Sequence, residues 1–379
     1  MIVIAVTGWA LEALAMCGVA YTLAAAVVSA RFLRRELRQG GPTPDVTIIK
    51  PLHGAPNYLR ETLEAFCLQD YPGAIQLVFG VQHPDDPAIP VVEDLIADHP
   101  LVDITLVINT AMHGVNRKAS NLININARAK HGVLVLSDAD IVVEQDYLRQ
   151  VAAALSAPDV GAVSLLYVGM DELTMWSRLS AMLIDYQFLP SAVLGKALGM
   201  ADPCFGSTIA LSAVTLERIG GFAAFAGHLA DDYEIGRAVR ALGLRVEIPP
   251  MVVRHHSPVT SVRELVSHEF RWARTVRQID AAGHAGSIVT HPLPLALIGA
   301  VLLGFSTFST IILSTAFVAR LCSKSLIERA TGTRAGPWWL IPLRDVLSFY
   351  VFVASFFIDT VRWQGRQFRI GYGGVIHHH

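Results

Sequence analysis

The opening stretch constrains this chain most. From Ile2 to Ala30 it is almost wholly apolar, with a single acid, Glu12. About 20 such residues let a helix cross the hydrocarbon core of a bilayer, so residues 1–30 read as a membrane anchor. Arg31, Arg34, Arg35 and Arg38 follow at once. Basic flanks stay on the cytoplasmic side, which sends the next part of the chain into the cytoplasm. A cleaved leader carries its positive charges before the apolar run; here they come after it, which favours a retained helix. Composition agrees: 53% of the 379 residues are hydrophobic and 16% charged, against roughly 25% charged in soluble domains.

Two more apolar runs lie near the other end. Pro292–Val318 is interrupted by small polar residues at 305–310, and Trp338–Ile358 contains Arg344 and Asp345. Arg320, Lys324, Arg329 and Arg334 follow the first run, and Arg362, Arg366 and Arg369 the second. Both basic flanks are cytoplasmic only if one run is a hairpin or re-entrant; a hairpin at 292–320 is the preferred reading. Leu173–Leu198 carries an apolar stripe of Trp176, Leu179, Met182, Leu183, Tyr186 and Leu189. It fits either a core-facing helix or one lying in the membrane interface over 173–199.

Between these runs, short β-rich segments (Val46–Ile49, Gln76–Val81, Ile104–Ile108, Val133–Leu136) alternate with helical patterns (Tyr58–Leu68, Val91–Ala97, Lys118–Ala129). Such alternation predicts a parallel sheet covered by helices on both faces. Ligands of such sheets bind beyond the carboxyl ends of the strands, where Lys50 and Asp138 both fall and should meet. A net charge of −2 without a long basic run gives no case for nucleic acid. Cys17, Cys67, Cys204 and Cys322 have no paired or metal-ligand spacing, which fits a reducing compartment. His377-His378-His379 reads as a tag remnant.

Asp138-Ala139-Asp140 leaves the Val133–Leu136 strand in a turn. Hard divalent cations such as Mg²⁺ or Mn²⁺ take oxygen ligands and share them with substrate phosphates; two solvated turn acids are the plain alternative. Asp231-Asp232-Tyr233-Glu234 leads into a helix over Ile235–Leu242. The acids there either cap the helix or supply a general base that takes a proton from an acceptor hydroxyl. In the helical stretch Val262–Val276, Arg271, Arg274 and Arg277 recur every third residue. Guanidinium groups suit diphosphate binding, and Trp272 offers an amphipathic wall; a basic helix touching anionic head groups is the alternative. Gly114-Val115-Asn116-Arg117-Lys118 opens a helix, whose N-terminus favours phosphate. His255-His256 reads as a pair of satisfied loop histidines before it reads as a metal site.

The order Lys50-Pro51-Leu52-His53-Gly54, Val81-Gln82, Asp85-Asp86-Pro87-Ala88-Ile89, Gly114-Val115-Asn116, Asp138, Asp231-Asp232-Tyr233 and Arg271-Trp272 resembles the ceramide glucosyltransferase family. Within it, the pattern is similar to the bacterial hopanoid-modifying glycosyltransferases. The resemblance reaches Trp363, Gly365-Arg366 and Phe368. It implies an α/β GT-A fold (nucleotide-diphospho-sugar transferase, Rossmann-like) with transmembrane or interfacial helices, a UDP-sugar donor, a divalent metal and inversion at the anomeric carbon. By position it puts Asp138 in the metal and nucleotide-sugar site and makes Asp232 the catalytic base. Arg271 and Trp272 complete a (Gln/Arg)-x-x-Arg-Trp signature. Two departures stand out. His83 occupies the place of an acid that helps hold the nucleotide base, with Asp85 two residues on. His268 stands at the first position of the signature. Conversely, Asp140 completes an Asp-x-Asp that the animal ceramide enzymes lack.

The combined expectation is a multi-pass protein of the bacterial cytoplasmic membrane. A cytoplasmic GT-A domain covers 31–285, and membrane helices with a basic tail cover 290–370. Donor contacts fall to Lys50, Pro51, His83, Asp85, Lys118, Asp138 and Arg271, and the metal to Asp138 and Asp140. Catalysis falls to Asp232 and Asp231 with Arg271 and Trp272. The acceptor is ceramide receiving glucose or a hopanoid polyol receiving N-acetylglucosamine, with polyprenyl phosphate third. A processive polysaccharide synthase needs a longer channel-forming bundle than this chain supplies, and a non-catalytic scaffold leaves the acids and Arg271 without a purpose.

Overall fold

The computed structural model describes residues 1–379 apart from 39, 171–173, 359, 364–365, 371–375 and 379, with backbone alone over the remainder of 360–378. Leu173, Gly365 and His379, singled out above, lie outside the described residues. The helices are α1 (Ile2–Leu33), α2 (Leu59–Cys67), α3 (Ala88–Asp98), α4 (Arg117–Asn126), α5 (Tyr147–Leu155), α6 (Met175–Leu183), α7 (Leu189–Ala197), α8 (Ala213–Arg218), α9 (Asp231–Ala241), α10 (Val262–Ile279), α11 (Ala281–Gly286), α12 (Pro292–Leu302), α13 (Thr307–Thr331) and α14 (Ile341–Ala354). The strands are β1 (Val46–Pro51), β2 (Ile75–Val81), β3 (Asp103–Ile108), β4 (Val133–Leu136), β5 (Ile141–Val142), β6 (Val160–Ser164), β7 (Leu166–Gly169), β8 (Ile209–Ser212), β9 (Arg245–Glu247) and β10 (Val252–His255). The chain forms two compact units.

One unit comprises Glu36–Tyr167 and Asp202–His256 and holds a seven-stranded sheet in the order β3-β2-β1-β4-β8-β6-β9. The four strands read from sequence pair in parallel. The other half departs from the expected all-parallel sheet, because β8 runs antiparallel to both β4 and β6. Strands such as Val46-Thr47-Ile48-Ile49 are apolar without alternation because both faces are covered. Ile48, Phe79 and Val135 pack with Leu59, Leu63, Val92 and Tyr147 of the α2, α3 and α5 layer. Ile49, Val78 and Leu136 pack with Leu122, Ile125, Ile235 and Val239 of α4 and α9 on the opposite face.

The other unit comprises Met1–Arg35, Val168–Ala201 and Ser257–His379, so α10 packs with the apolar helices. Among the described residues, α1 and α13 are long and apolar enough to cross a membrane, and the segment Ala281–Thr290 meets α12 at a 68° bend. The register of α1 on α12 is antiparallel: a Cβ on Gly8 would fall 2.8 Å from Leu303, and one on Gly18 2.6 Å from the Val289 carbonyl. Gly304 and Phe305, both at positive φ, reverse the chain, and α13 then packs back along α1. The run 292–320 is therefore a helical hairpin whose second arm extends to Thr331. The α6–α7 stripe is core-facing: Leu179, Met182, Tyr186 and Leu189 are buried inside this unit, which explains the apolar spacing without an interface.

Glu12 is 1% exposed, and neither carboxylate oxygen has a hydrogen-bond partner. Gly299 makes room for it, since a Cβ there would come within 2.8 Å of Oε1. A buried polar group without a partner costs about 1–3 kcal/mol. Glu12→Met is therefore expected to raise the melting temperature in detergent by a few degrees, read by thermal unfolding; a lower melting temperature would show that the carboxyl has a stabilising partner.

Candidate active site

The site of the sheet unit grows from strand register. Ile49 of β1 lies opposite Leu136 of β4, so Lys50 and Ser137 leave the sheet side by side. Lys50 is fully buried and donates to the Asp138 carbonyl (2.8 Å) and to Ser137 Oγ (3.3 Å). Its ammonium also sits 3.8 Å from the Phe66 ring centre. Lys50 and Asp138 do meet, but through the main chain: Lys50 lies beneath the site and holds the Asp138 turn. Pro51 ends β1, and the next N–H, of Leu52, donates to Gly80.

Two helix N-termini converge beyond these strand ends. Asn116 caps α4 by accepting from Ala119 N–H (3.0 Å) and donates to the His228 carbonyl (2.7 Å), which ties α4 to the loop before α9. Lys118, in the first turn of α4, reaches Asp138 Oδ1 at 2.5 Å and Asp231 Oδ2 at 4.0 Å. Asp231 and Asp232 occupy the first turn of α9, where Ala230 is the N-cap, so neither acid is spent as a cap. Asp232 accepts from Gly206 N–H (3.0 Å) and from Tyr233 N–H (2.8 Å).

Gly206 sits at the centre and was not legible beforehand. A Cβ there would fall 3.0 Å from Asp138 Oδ2, 3.1 Å from Lys118 Nζ and 3.5 Å from Asp232 Oδ2. The other member is His255, read above as a satisfied loop histidine; it ends β10 and is satisfied by Asp140. Its Nε2 lies 3.3 Å from Asp140 Oδ2, and His256 N–H donates to the Asp140 carbonyl (2.9 Å). The antiparallel pairing of His255 with Ile141 brings the histidine pair to the acid.

His83 and Asp85 stand exposed beyond the end of β2, 3.7 Å apart. Their neighbour Asp86 is buried and accepts from Gly54 N–H and Ala88 N–H, both at 3.0 Å, fastening the loop after β1 to the start of α3. Arg271 and Trp272 belong to α10 in the helical unit, where the Trp272 ring lies 4.6 Å from that of His268.

The charges differ sharply within the sheet unit. Burial raises the Asp232 carboxyl to about 6, with help from Asp231 and against the pull of Lys118. Burial also raises Asp138, as do Asp140 and Asp231, against Lys118. Asp140 goes the other way: burial would raise it, but His255 and Lys50 outweigh that and hold it at about 2. One neighbourhood thus keeps one acid firmly ionised and another poised to exchange a proton, the separation that acid–base chemistry requires.

The residues also suit a divalent cation. Asp140 Oδ1 is buried without a hydrogen-bond partner, and the space over Gly206 is bounded by Asp138. No cluster of three or more His, Cys, Asp or Glu spaced for a metal occurs among the described residues. An ion here would be held by one or two carboxylates and completed by substrate phosphates.

The sheet unit, with acids and a lysine gathered beyond its strand ends, has the GT-A glycosyltransferase fold. The mannosyltransferase PcManGT of Pyrobaculum calidifontis, solved with GDP-Man and Mn²⁺, shares this fold with a TM-score of 0.54 at 23% identity, over 91% of this chain and 99% of that one. The chain belongs to glycosyl transferase family 21, whose model matches residues 8–376. It is 24% identical to ceramide glucosyltransferase 3 of Caenorhabditis elegans over 91% of this chain and 76% of the relative. It is 22% identical to ceramide glucosyltransferase 1 of the same organism over 88% and 73%.

Proposed function

We propose that this glycosyltransferase moves a hexose from a UDP-sugar to a primary hydroxyl of a membrane lipid with inversion, with glucose and ceramide as the leading pair. The observation that carries the reading is the convergence of Asp232, Lys118 and Asp138 around the bare backbone of Gly206. Asp232 takes the proton of the attacking hydroxyl, and a carboxyl that burial raises to about 6 suits that task near neutral pH. Its two backbone donors hold the carboxylate in one orientation. Lys118, at a helix N-terminus, faces the diphosphate, where both its charge and the helix dipole favour an anion. Arg271 supports the departing diphosphate, and Trp272 walls the acceptor. Asp138 and Asp140 would hold Mg²⁺ or Mn²⁺, which when bound neutralises diphosphate charge. His83 or Asp85 contacts the nucleotide base.

The lipid acceptor is supported by the names of the relatives and by the two apolar helices. Exposed Arg31 lies in the last turn of α1, and exposed Arg34 and Arg35 follow it. Arg329 and Arg334 mark the end of α13, which packs back along α1, so both basic ends lie together. That supports a cytoplasmic placement for them.

The test is transfer by purified protein with Mg²⁺ or Mn²⁺, offering UDP-glucose and UDP-N-acetylglucosamine against ceramide and bacteriohopanetetrol, read by lipid mass spectrometry. Glucosylceramide is expected. An N-acetylglucosaminyl hopanoid would move the acceptor and keep the site; no product and no UDP release from any pair would overturn lipid glycosylation of these acceptors.

A further inference from the structure

Helix α10 presents Arg271 and Trp272 on one side and is gripped by the other. At 3.6 residues per turn, His268, Arg271, Trp272 and Thr275 share one face, whereas Glu269, Arg274 and Arg277 share the opposite one. Of the three arginines at every third residue, Arg274 and Arg277 reach the end of α14. Arg277 donates to the Ser355 carbonyl at the end of α14 (2.6 Å) and lies over the Phe356 ring, and Arg274 donates more weakly to the same carbonyl (3.4 Å). A cation at a helix C-terminus meets unsatisfied carbonyls and the negative end of the dipole, so this end of the grip is a cap.

The other end is a buried ion pair. Glu269 and Arg344 are 3% and 0% exposed and pair through two bonds of 2.5 and 2.6 Å. Arg344 also donates to the Leu179 carbonyl (3.0 Å) and to Ser348 Oγ (3.1 Å), and Ser348 donates to Gln187 Oε1 (2.5 Å). Gln187 belongs to the single π-helical turn Ile184–Phe188 between α6 and α7. A buried ion pair is seldom more stabilising than matched apolar residues. What it adds is direction: a bidentate guanidinium–carboxylate pair fixes rotation and depth, where an apolar contact lets a helix slide.

We infer that the Glu269–Arg344 pair is a positioning device for sugar transfer, locking α10 so that Arg271 and Trp272 stand where the reaction needs them. This rests on the reading of Arg271 as a diphosphate-binding group. Glu269 and Arg344 are positioning residues, since neither is placed at the substrate.

The decisive variant is the double substitution Glu269→Leu with Arg344→Met, which removes the directional pair without leaving a lone buried charge. The expected result is a melting temperature close to the parent's with kcat lowered roughly 10–100-fold, the size of effect that misplacing catalytic groups by about 1 Å produces. Parental kcat in the folded double variant would overturn the positioning role. If the double variant does not fold, Glu269→Gln decides by the same comparison. Arg271→Ala is measured alongside: if it turns over normally, the reading of Arg271 fails, whereas an inactive Arg271→Ala beside a fully active double variant sinks the clamp alone.

Discussion

Asp232→Asn is expected to lower turnover by about 10²–10⁴-fold, the range for loss of a general base, with UDP binding retained. Asparagine keeps the shape and can still accept from one of the two backbone N–H groups now shared between Gly206 and Tyr233. It cannot take a proton from a hydroxyl. The pH profile adds a second signature. Because the base works only when ionised, kcat/KM of the parent should rise through a midpoint of about 6 and level off above it, whereas the variant's residual rate should lack that limb. The stability sign runs opposite. An acid whose folded value lies above the unfolded one, about 3.9, favours the fold below the unfolded value and loses that contribution as pH rises through the folded one. Asp232 therefore acts against stability at neutral pH, a gain for the variant that the backbone N–H left without its acceptor offsets. Normal turnover by Asp232→Asn, or an unchanged acid limb, would remove Asp232 from the role of base.

Much of this was legible in the sequence, and for physical reasons. The four parallel strands announced themselves because strands buried on both faces must be runs of Val, Ile and Leu, and α1 because a helix long and apolar enough to cross a bilayer is an unbroken apolar run. Motif order brought out Asp138 and Asp232. What stayed hidden depends on contacts between distant segments. Gly206 carries no chemistry of its own and acquires a place only when β8 and α9 bring Asp138, Lys118 and Asp232 around it. His255 joins Asp140 through a short antiparallel pairing that no local pattern encodes. β8 itself has the composition of any buried strand, so its antiparallel direction could not be read. Lys50 was visible at a strand end, but its burial followed from Phe66 and Ser137 packing over it, which places it under the turn. The arginine triplet of α10 illustrates the limit of spacing: periodicity says which residues neighbour one another along a helix, and only the fold shows that Arg274 and Arg277 reach the Ser355 carbonyl.

Lys118→Met should produce the other large effect, a loss of about 10²-fold in kcat/KM, within the range for removing one preorganised electrostatic contact in an active site. Lys118 is the cation that lies nearest both acid groups, at 2.5 Å from Asp138 and 4.0 Å from Asp231. Burial alone would lower its ammonium, yet Asp138, Asp231 and Asp232 together raise it, so it is charged throughout the working range. Methionine keeps the unbranched apolar stem and removes the ammonium, leaving those three carboxylates to repel one another. Donor binding should weaken, because the helix N-terminus loses its point charge for the diphosphate. The base should also respond: Lys118 pulls Asp232 down against burial and Asp231, so without it the acid limb of the pH profile must move to higher pH. That coupling separates two accounts of the lysine. A group that only binds the donor would raise KM and leave the limb where it was. A group built into the acid cluster shifts both, and measuring kcat and KM from about pH 5 to 8 in Lys118→Met beside the parent distinguishes them.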